Sequence, residues 1–411
     1  MLKNYFKIAI AVLKRRKFFT FISLFGISFT LTILIVITAF WDHTTSARYP
    51  DTKRDRSLYI VNMTLRGSKN GYMNSGPVSL HFLNTYVCKM KTPVDIAFSS
   101  MFGPTNTYIN NKKLTIDLKY TNADFWNVLD YTFLEGKPYT QQQLNNGERV
   151  AVISEETKRN YFGEVPHVVG KYLETNNEQY RVIGVVKNVP VTLPFVYSDI
   201  YVPYTLSQRD LEDRSFGGKY TAILLARSAA DLPAIKEEFN QLIRKIPLKG
   251  ENFDKINGNT DSYLEVFTRI IFGDESNNGV GKFVLIMSLF VFTFMLLPTL
   301  NLVNINISRI MERSSEIGVR KAFGASSGTL TIQFIVENLI LTFLGGVIGV
   351  GLSWIILQVI NSYQLIPNAY LTINLSVLFI SLLVCILFGL LSGVYPAWRM
   401  SRMQIVTALK A

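Results

Sequence analysis

Residues 338–398 read NLILTFLGGVIGVGLSWIILQVINSYQLIPNAYLTINLSVLFISLLVCILFGLLSGVYPAW, 61 consecutive positions without a charged side chain. A helix rises about 1.5 Å per residue, so about 20 apolar residues cross a hydrocarbon core of about 30 Å. One helix cannot use three times that length. Asn361-Ser362 and Pro367-Asn368 interrupt the run with turn-forming residues. The stretch therefore predicts two membrane spans, 334–360 and 374–396, joined by a short uncharged turn at 361–373.

Two more runs lie towards the N-terminus. Phe283–Ser308 is free of charge and carries Pro298 with Asn301, Asn304 and Asn306; Phe18–Trp41 is free of charge over 24 positions. The latter is too long for a signal-peptide core, and no small-x-small site follows at Trp41-Asp42-His43, so it reads as an uncleaved signal anchor. The spans are expected at 18–41, 283–308, 334–360 and 374–396, and are read as lacking Asp, Glu, Lys, Arg and His. That disfavours a secondary transporter or a polar tunnel, which keep ionisable groups at membrane depth.

Charge sets the orientation. Residues 1–17 hold Lys3, Lys7, Lys14, Arg15, Arg16 and Lys17 with no acid. Residues 309–321 carry +2, the tail carries Arg399, Arg402 and Lys410, and about +1 of the net +12 is left elsewhere. All three basic segments face the cytoplasm only with four spans, both termini inside and 42–282 outside. The basic excess thus flanks apolar runs and calls for no nucleic-acid partner. Within 1–17, Lys3, Lys7 and Lys14 share one helical face opposite Leu2, Phe6, Ala9 and Leu13, as in a helix lying on the anionic leaflet; the alternative is a plain positive flank.

Residues 42–282 read as an α/β domain. Strand-like runs are Ser57–Leu65, Leu114–Tyr120, Val150–Ile153, Tyr180–Val186, Ser198–Val202 and Tyr220–Leu225. Helix-like runs are Val78–Met90, Glu155–Phe162 and Ala230–Lys245. Gly and Asn clusters at 67–76, 145–147, 250–260 and 273–281 predict loops, the last a pliable joint to the second span. The fold class expected is an α-helical membrane protein of four transmembrane helices, with this large extracytoplasmic α/β (α+β) domain between helices 1 and 2.

The segment Met311-Glu-Arg-Ser-Ser-Glu-Ile-Gly-Val-Arg-Lys-Ala-Phe-Gly-Ala325 resembles the hallmark of MacB/FtsX-type ABC transporter permeases. Gln333-Phe334-x-x-Glu337, Gly345-Gly346-x-x-Gly349 and the ending Tyr395-Pro-Ala-Trp-Arg-Met-Ser-Arg402 continue the likeness. So do Asp124-Phe-Trp, Leu134-Glu-Gly-Lys-Pro138, Val152-Ile-Ser-Glu155, Tyr161-Phe-Gly163 and Val182-Ile-Gly-Val-Val186 in the external domain. The resemblance implies a porter-like part at 50–120 plus 219–270, a β-rich insert at 121–218, and a coupling segment at 309–333. It implies a bacterial inner-membrane subunit working with an ABC ATPase and with a second permease copy, identical or different. A periplasmic adaptor and an outer-membrane channel belong to the same picture, and membrane lipids surround it.

No G-x-x-x-x-G-K-[ST] occurs, so no phosphate loop cradles a nucleotide here, and ATP hydrolysis is expected from a partner. H-E-x-x-H and G-x-S-x-G are absent, and His43, His81 and His167 are isolated in sequence. Cys88 and Cys385 have neither disulfide nor metal-ligand spacing. No catalytic residue, metal or cofactor is therefore expected.

The candidate coupling residues are Arg313, Glu316, Ile317, Gly318, Arg320, Lys321 and Gly324. Glu316 and Arg320 are spaced i, i+4 in the favourable order. Such a short helix inserts into an ATPase cleft or is a solvated loop helix, the resemblance favouring the first. Gly345, Gly349, Gly389 and Gly393 form small-xxx-small pairs for packing within the chain or across a dimer seam. Pro298 marks a hinge or a fixed bend. The function implied is a permease subunit that passes ATP-driven motion to its external domain. Export or envelope handling of a hydrophobic compound, peptide or lipoprotein would follow. Control of an external partner such as a cell-wall hydrolase, as in FtsX-type signalling, is the alternative.

Overall fold

The computed structural model describes residues 10, 11, 15, 17–69, 71–109, 112–248, 253–273, 277–311, 319, 323 and 326–401. The expected N-terminal surface helix therefore falls almost wholly outside the described residues. The chain divides into two compact units: residues 44–283 with 366–369, and the remaining segments, which hold the long apolar helices.

The first unit contains strands β1 (Ser57–Ile60), β2 (Met63–Arg66), β3 (Met73–Gly76), β4 (Asp95–Ser100), β5 (Gly103–Ile109), β6 (Lys112–Thr121) and β7 (Phe133–Gly136). It continues with β8 (Val150–Ser154), β9 (Tyr172–Thr175), β10 (Glu178–Val186), β11 (Ile200–Pro203), β12 (Tyr220–Leu225) and β13 (Lys255–Gly258). Among the described residues the helices beyond single turns are α1 (Lys17–Thr45), α2 (Leu80–Thr85), α3 (Glu155–Phe162), α4 (Leu232–Lys245), α5 (Tyr263–Phe272), α6 (Val280–Met311), α7 (Ser327–Ser362) and α8 (Leu375–Ser401).

Ten strands form one mixed sheet in the order β1-β12-β4-β6-β11-β8-β10-β7, with β5 on β6 and β9 on β10; β13-β2-β3 form a small second sheet. Side chains alternate across a strand, and that period distributes the core. Tyr59, Val150, Val152, Tyr201, Ile223 and Leu225 enter an aromatic-rich core with Phe125, Trp126 and Tyr131. Their neighbours turn to the other face, where two cores lie along the sheet. Leu58, Ile60, Ala222 and Leu224 meet α2 and α4 through Phe82, Ile235 and Phe239. Ile116, Leu118, Ala151, Ile153, Ile200 and Val202 form the second. The sheet is continuous through β6, across the boundary expected near residue 120. Strands β1, β8, β11 and β12 are buried at every position, which is why they read as unbroken apolar runs.

Sequence and structure differ at several elements. The loops expected at 67–76 and 250–260 contain β3 and β13, which pair with β2. Their Asn, Ser and Gly residues carry no apolar alternation, so backbone pairing alone makes them strands. The run Ser57–Leu65 is broken into β1 and β2, which enter different sheets. Helix α7 starts at Ser327, whose N-cap Ser326 accepts a bond from Thr329 N–H, so 327–333 of the expected coupling segment is helical. Residues 277–279 of the expected pliable joint are bonded: Thr268 Oγ1 donates to Asn278 O (2.8 Å) and Arg269 Nη1 to Asn277 O (3.2 Å).

Helices Lys17–Thr45 and, within α7, Thr331–Ser362 are long and apolar enough to cross a membrane, and Val280–Leu296 and Leu378–Leu391 are shorter apolar stretches. Ile27, Leu31, Leu34 and Ile35 of α1 pack with Met295 of α6 and Cys385 of α8.

Candidate functional site

The expected coupling residues Arg313, Glu316, Ile317, Gly318, Arg320, Lys321 and Gly324 lie outside the described residues. Next to them, Phe323 is 88% exposed.

The packing glycines are largely described. A Cβ at Gly345 would come within 2.7 Å of Ile27 Cγ2, and one at Gly349 within 3.0 Å of Ser28 O and 3.1 Å of Leu31 Cβ. Helices α1 and α7 thus approach through the absent side chains, close enough for Thr32 Oγ1 to donate to Gly349 O (3.2 Å). Gly389 lies against the Thr342 side chain, joining α8 to α7. Pro298 falls within α6, continuous from Val280 to Met311, and Gly393 within α8.

Gly349→Leu should therefore destabilise the full chain in detergent by about 2 kcal/mol through overpacking. Gly351→Leu, at a position with nothing within 4 Å, should be close to silent. Equal melting temperatures for the two variants would contradict this packing.

The apolar helices carry ionisable groups; of these, Glu337 falls inside an expected span (334–360) and corrects the reading of the spans as lacking them, while Asp42 and His43 lie just beyond the span expected at 18–41. Helix α1 continues to Thr45 and carries Asp42 and His43, and α7 carries Glu337, all buried. Asp42 and Glu337 are each bonded to an amide side chain. Asn374 Nδ2 donates to Asp42 Oδ1 (2.9 Å) while Asn374 Oδ1 accepts from Ser376 N–H at the start of α8. Gln333 Nε2 donates to Glu337 Oε1 (3.1 Å), one helical turn away.

A buried polar cluster, absent from the sequence expectations, stands where α1 ends. Arg54 Nε donates to Asp51 Oδ2 (2.7 Å), and both side chains are nearly inaccessible. Arg54 Nη1 donates to Thr44 O (3.0 Å) and Ser46 O (2.8 Å), satisfying carbonyls that a helix end leaves open. Tyr59 Oη donates to the same Asp51 oxygen (2.7 Å). The guanidinium carbon lies 3.6 Å from the ring centroid of Tyr263, the first residue of α5. Burial pushes the Asp51 carboxyl above the ordinary carboxylate range, and Arg54 pulls it back. Tyr59 and Asp261 exchange backbone bonds (2.7 and 3.0 Å), and Arg269 grips Asp261 through Nε (2.6 Å) and Nη2 (2.9 Å). The only sequence signal was Asp51 and Arg54 three residues apart, just beyond an apolar run.

Lys119 is a further buried ionisable group. It is fully buried on β6, and its Nζ donates to Ser100 O (2.9 Å), Pro194 O (3.2 Å) and Phe195 O (3.3 Å). Burial pulls its pKa down to about 7, with Asp117 opposing.

No group of three or more His, Cys, Asp or Glu is gathered for a metal among the described residues. Two cavities of the first unit are polar clefts. One of about 420 Å³ is lined by Lys236, Asn240, Asp261, Glu265 and Arg269; another of about 470 Å³ by Asn106, Tyr108, Tyr161 and Glu174. Their acids and bases are already paired in the first (Lys236–Glu265, 2.8 Å). The polar contacts described here are those of helix packing, helix capping and ion pairing.

The MacB-like periplasmic core domain family matches residues 20–242, and the FtsX-like permease C-terminal family matches residues 288–405. The chain is 26% identical over 293 residues to the uncharacterized ABC transporter permease YknZ of Bacillus subtilis, covering 70% of this chain and 68% of that protein. It is 25% identical over 301 residues to the macrolide export ATP-binding/permease protein MacB of Escherichia coli K12, covering 73% of this chain but 44% of the relative's length. Among solved structures, the extracellular domain of YknZ aligns with TM-score 0.37 and 15% identity over 49% of this chain and 98% of that one. The periplasmic region of MacB from Actinobacillus actinomycetemcomitans aligns with TM-score 0.35 and 16% identity over 46% and 84%.

Proposed function

The chain belongs to the MacB/FtsX-type family of ABC transporter permeases, and from that premise we propose that it converts ATP-driven motion of a separate ATPase subunit into movement of its external domain. Four spans, at 18–41, 283–308, 334–360 and 374–396, place both termini in the bacterial cytoplasm and the folded unit outside. A second permease subunit completes the assembly. The cargo is a hydrophobic compound, peptide or lipoprotein exported or handled in the envelope, in keeping with the macrolide export named for its relative MacB.

One observation carries this reading. A folded domain is inserted in the sequence between apolar helices, and its interior holds cores and ion pairs, with no group of three or more His, Cys, Asp or Glu gathered for a metal among the described residues. A domain of that kind acts by moving. These 411 residues carry no phosphate loop, in keeping with ATP hydrolysis by a separate subunit.

We assign the contact with the ATPase to residues 313–324, where Glu316 and Arg320 are spaced i, i+4 and Arg313, Ile317, Gly318, Lys321 and Gly324 are the further candidates. Glu316→Arg places like charges one turn apart, a local cost of a few tenths of a kcal/mol, about 0.3. That is too small to unfold the chain. The variant, like Gly324→Trp, should insert normally yet lose ATPase association or leave hydrolysis uncoupled from transport. Full transport and unchanged partner affinity in both would sink the assignment.

A further inference from the structure

We propose that Arg54, held by Asp51 and stacked on Tyr263, is the positioning residue of a rigid joint. The joint fastens the end of α1 and the start of α6 to strand β1, so that displacement of either helix is delivered to the ten-stranded sheet. The inference rests on the coupling function proposed above and adds the route by which motion enters the external domain.

The path consists of consecutive contacts. Arg54 caps the end of α1 through Thr44 O and Ser46 O and is locked by Asp51. Asp51 is bonded to Tyr59 at the centre of β1. Tyr59 meets Tyr263 edge to face (centroids 5.4 Å apart), and its backbone is bonded on both sides to Asp261. Asp261 holds Arg269 of α5, and Thr268 and Arg269 hold the carbonyls of Asn278 and Asn277. Asn278 Oδ1 accepts from Val280 N–H, the first residue of α6 (3.2 Å). Lys236 of α4 and Asn278 both bond Glu265, which brings the opposite-face core into the same frame.

Each link has a short lever and little slack. A joint made of exposed lysines and glycines would bend before it transmitted force. Here the ion pair is buried, and a buried pair contributes little net stability compared with apolar residues of the same size. What it supplies is fixed geometry. A guanidinium places its donors in one plane, and its carbon lies 3.6 Å over the ring centre of Tyr263, so rotation of the end of α1 drags on α5. Beyond the joint, β1 pairs along its whole length with β12. A shift of Tyr59 therefore reaches the central strands through backbone bonds.

The test uses the full chain in lipid nanodiscs with its co-purified ATPase. Cys88→Ser and Cys385→Ala are combined with single fluorophores at Phe323→Cys or at Tyr172→Cys, the latter an exposed position on β9. The measured quantity is the response at 172 relative to that at 323 on adding Mg-ATP and vanadate. Arg54→Met should leave the response at 323 intact and reduce the relative response at 172 by about five-fold or more. Tyr263→Phe, which keeps the ring beneath the guanidinium, should behave as the parent does. If Arg54→Met does not insert, Tyr59→Phe removes only the hydroxyl bonded to Asp51 and should lower the ratio about two-fold. A parent chain silent at both positions ends the coupling reading and the joint with it. A parent that responds at both, with an unchanged ratio in Arg54→Met or in Tyr59→Phe, ends the joint alone.

Discussion

Replacing Gly136 by alanine is expected to destabilise the external unit by about 4 kcal/mol, near the upper end for single substitutions. Two causes add. Gly136 has φ +65°, where a side chain strains the backbone by about 1 kcal/mol. A Cβ there would also collide with the backbone of Ile183, lying 2.9 Å from its carbonyl carbon and closer still to its oxygen. Backbone cannot step aside as a flexible side chain can, since Gly136 pairs with Gly184 in the β7–β10 ladder and Lys137 N–H donates to Ile183 O (3.1 Å). Gly184 is equally hemmed in, with Phe133 Cε1 and Lys137 O each 2.9 Å from where its Cβ would be. The internal control is Gly147→Ala: φ is +62°, but nothing lies within 4 Å. It should cost only the strain, about 1 kcal/mol. Thermal unfolding of the full chain, followed by the fluorescence of Trp126 packed on Phe133 and Tyr139, should separate the variants by roughly 10 °C. Equal melting temperatures would mean that β7 does not close on β10 in this register.

The second large effect is a dependence of stability on pH set by Lys119. Its folded pKa of about 7 lies below the ordinary lysine value of 10.5. Between these values the unfolded chain binds the proton more tightly than the folded one, so stability rises with pH through this window. It is fully gained above the unfolded value and lost as pH falls towards 7. The slope approaches about 1.4 kcal/mol per pH unit, so pH 7 to 9 should bring at most about 2.5 kcal/mol. The ceiling is lowered by the carbonyls of Ser100, Pro194 and Phe195, which favour the ammonium by accepting its hydrogen bonds. Buried tyrosines such as Tyr139 are held above their ordinary value and act in the opposite sense at higher pH, so the window ends at 9. Lys119→Met should flatten the curve between pH 7 and 9, while titrations elsewhere cancel in the comparison. A wild-type curve parallel to that of Lys119→Met would show that Lys119 keeps its ordinary pKa in the folded state.

Gly136 and Lys119 also mark how far reading the chain could go. The motifs around Gly136 and Gly184 stood out as separate resemblances, yet nothing in their spacing said that the two glycines face each other. Lys119 follows Leu114, Ile116 and Leu118 in alternation with them, which by period alone sets it on the face away from those residues, where solvent is the usual neighbour. The segment carrying Pro194 and Phe195 covers it instead. Strands β3 and β13 were illegible because they consist of Asn, Ser, Gly and single apolar residues, and only their pairing with β2 makes them strands. The packing glycines of α7 were legible because absent side chains at i, i+4 line one helix face, although their partner Ile27 on α1 was not.

By itself the sequence determined the long apolar helices, the α/β character between them, the basic flanks and the family motifs. Each of these is a local property: hydropathy summed over a window, a two- or four-residue period, or a short motif. The order of the ten strands, the tether of Asp42 to Asn374, the buried Glu337 and the Arg54–Asp51–Tyr59–Tyr263 joint were decided only by the tertiary structure. All of them are contacts between segments or burials imposed by distant residues. Residue spacing carries no information on which segment will cover a polar side chain. The energy that selects the partner, desolvation set against a specific bond, exists only once the two segments have met.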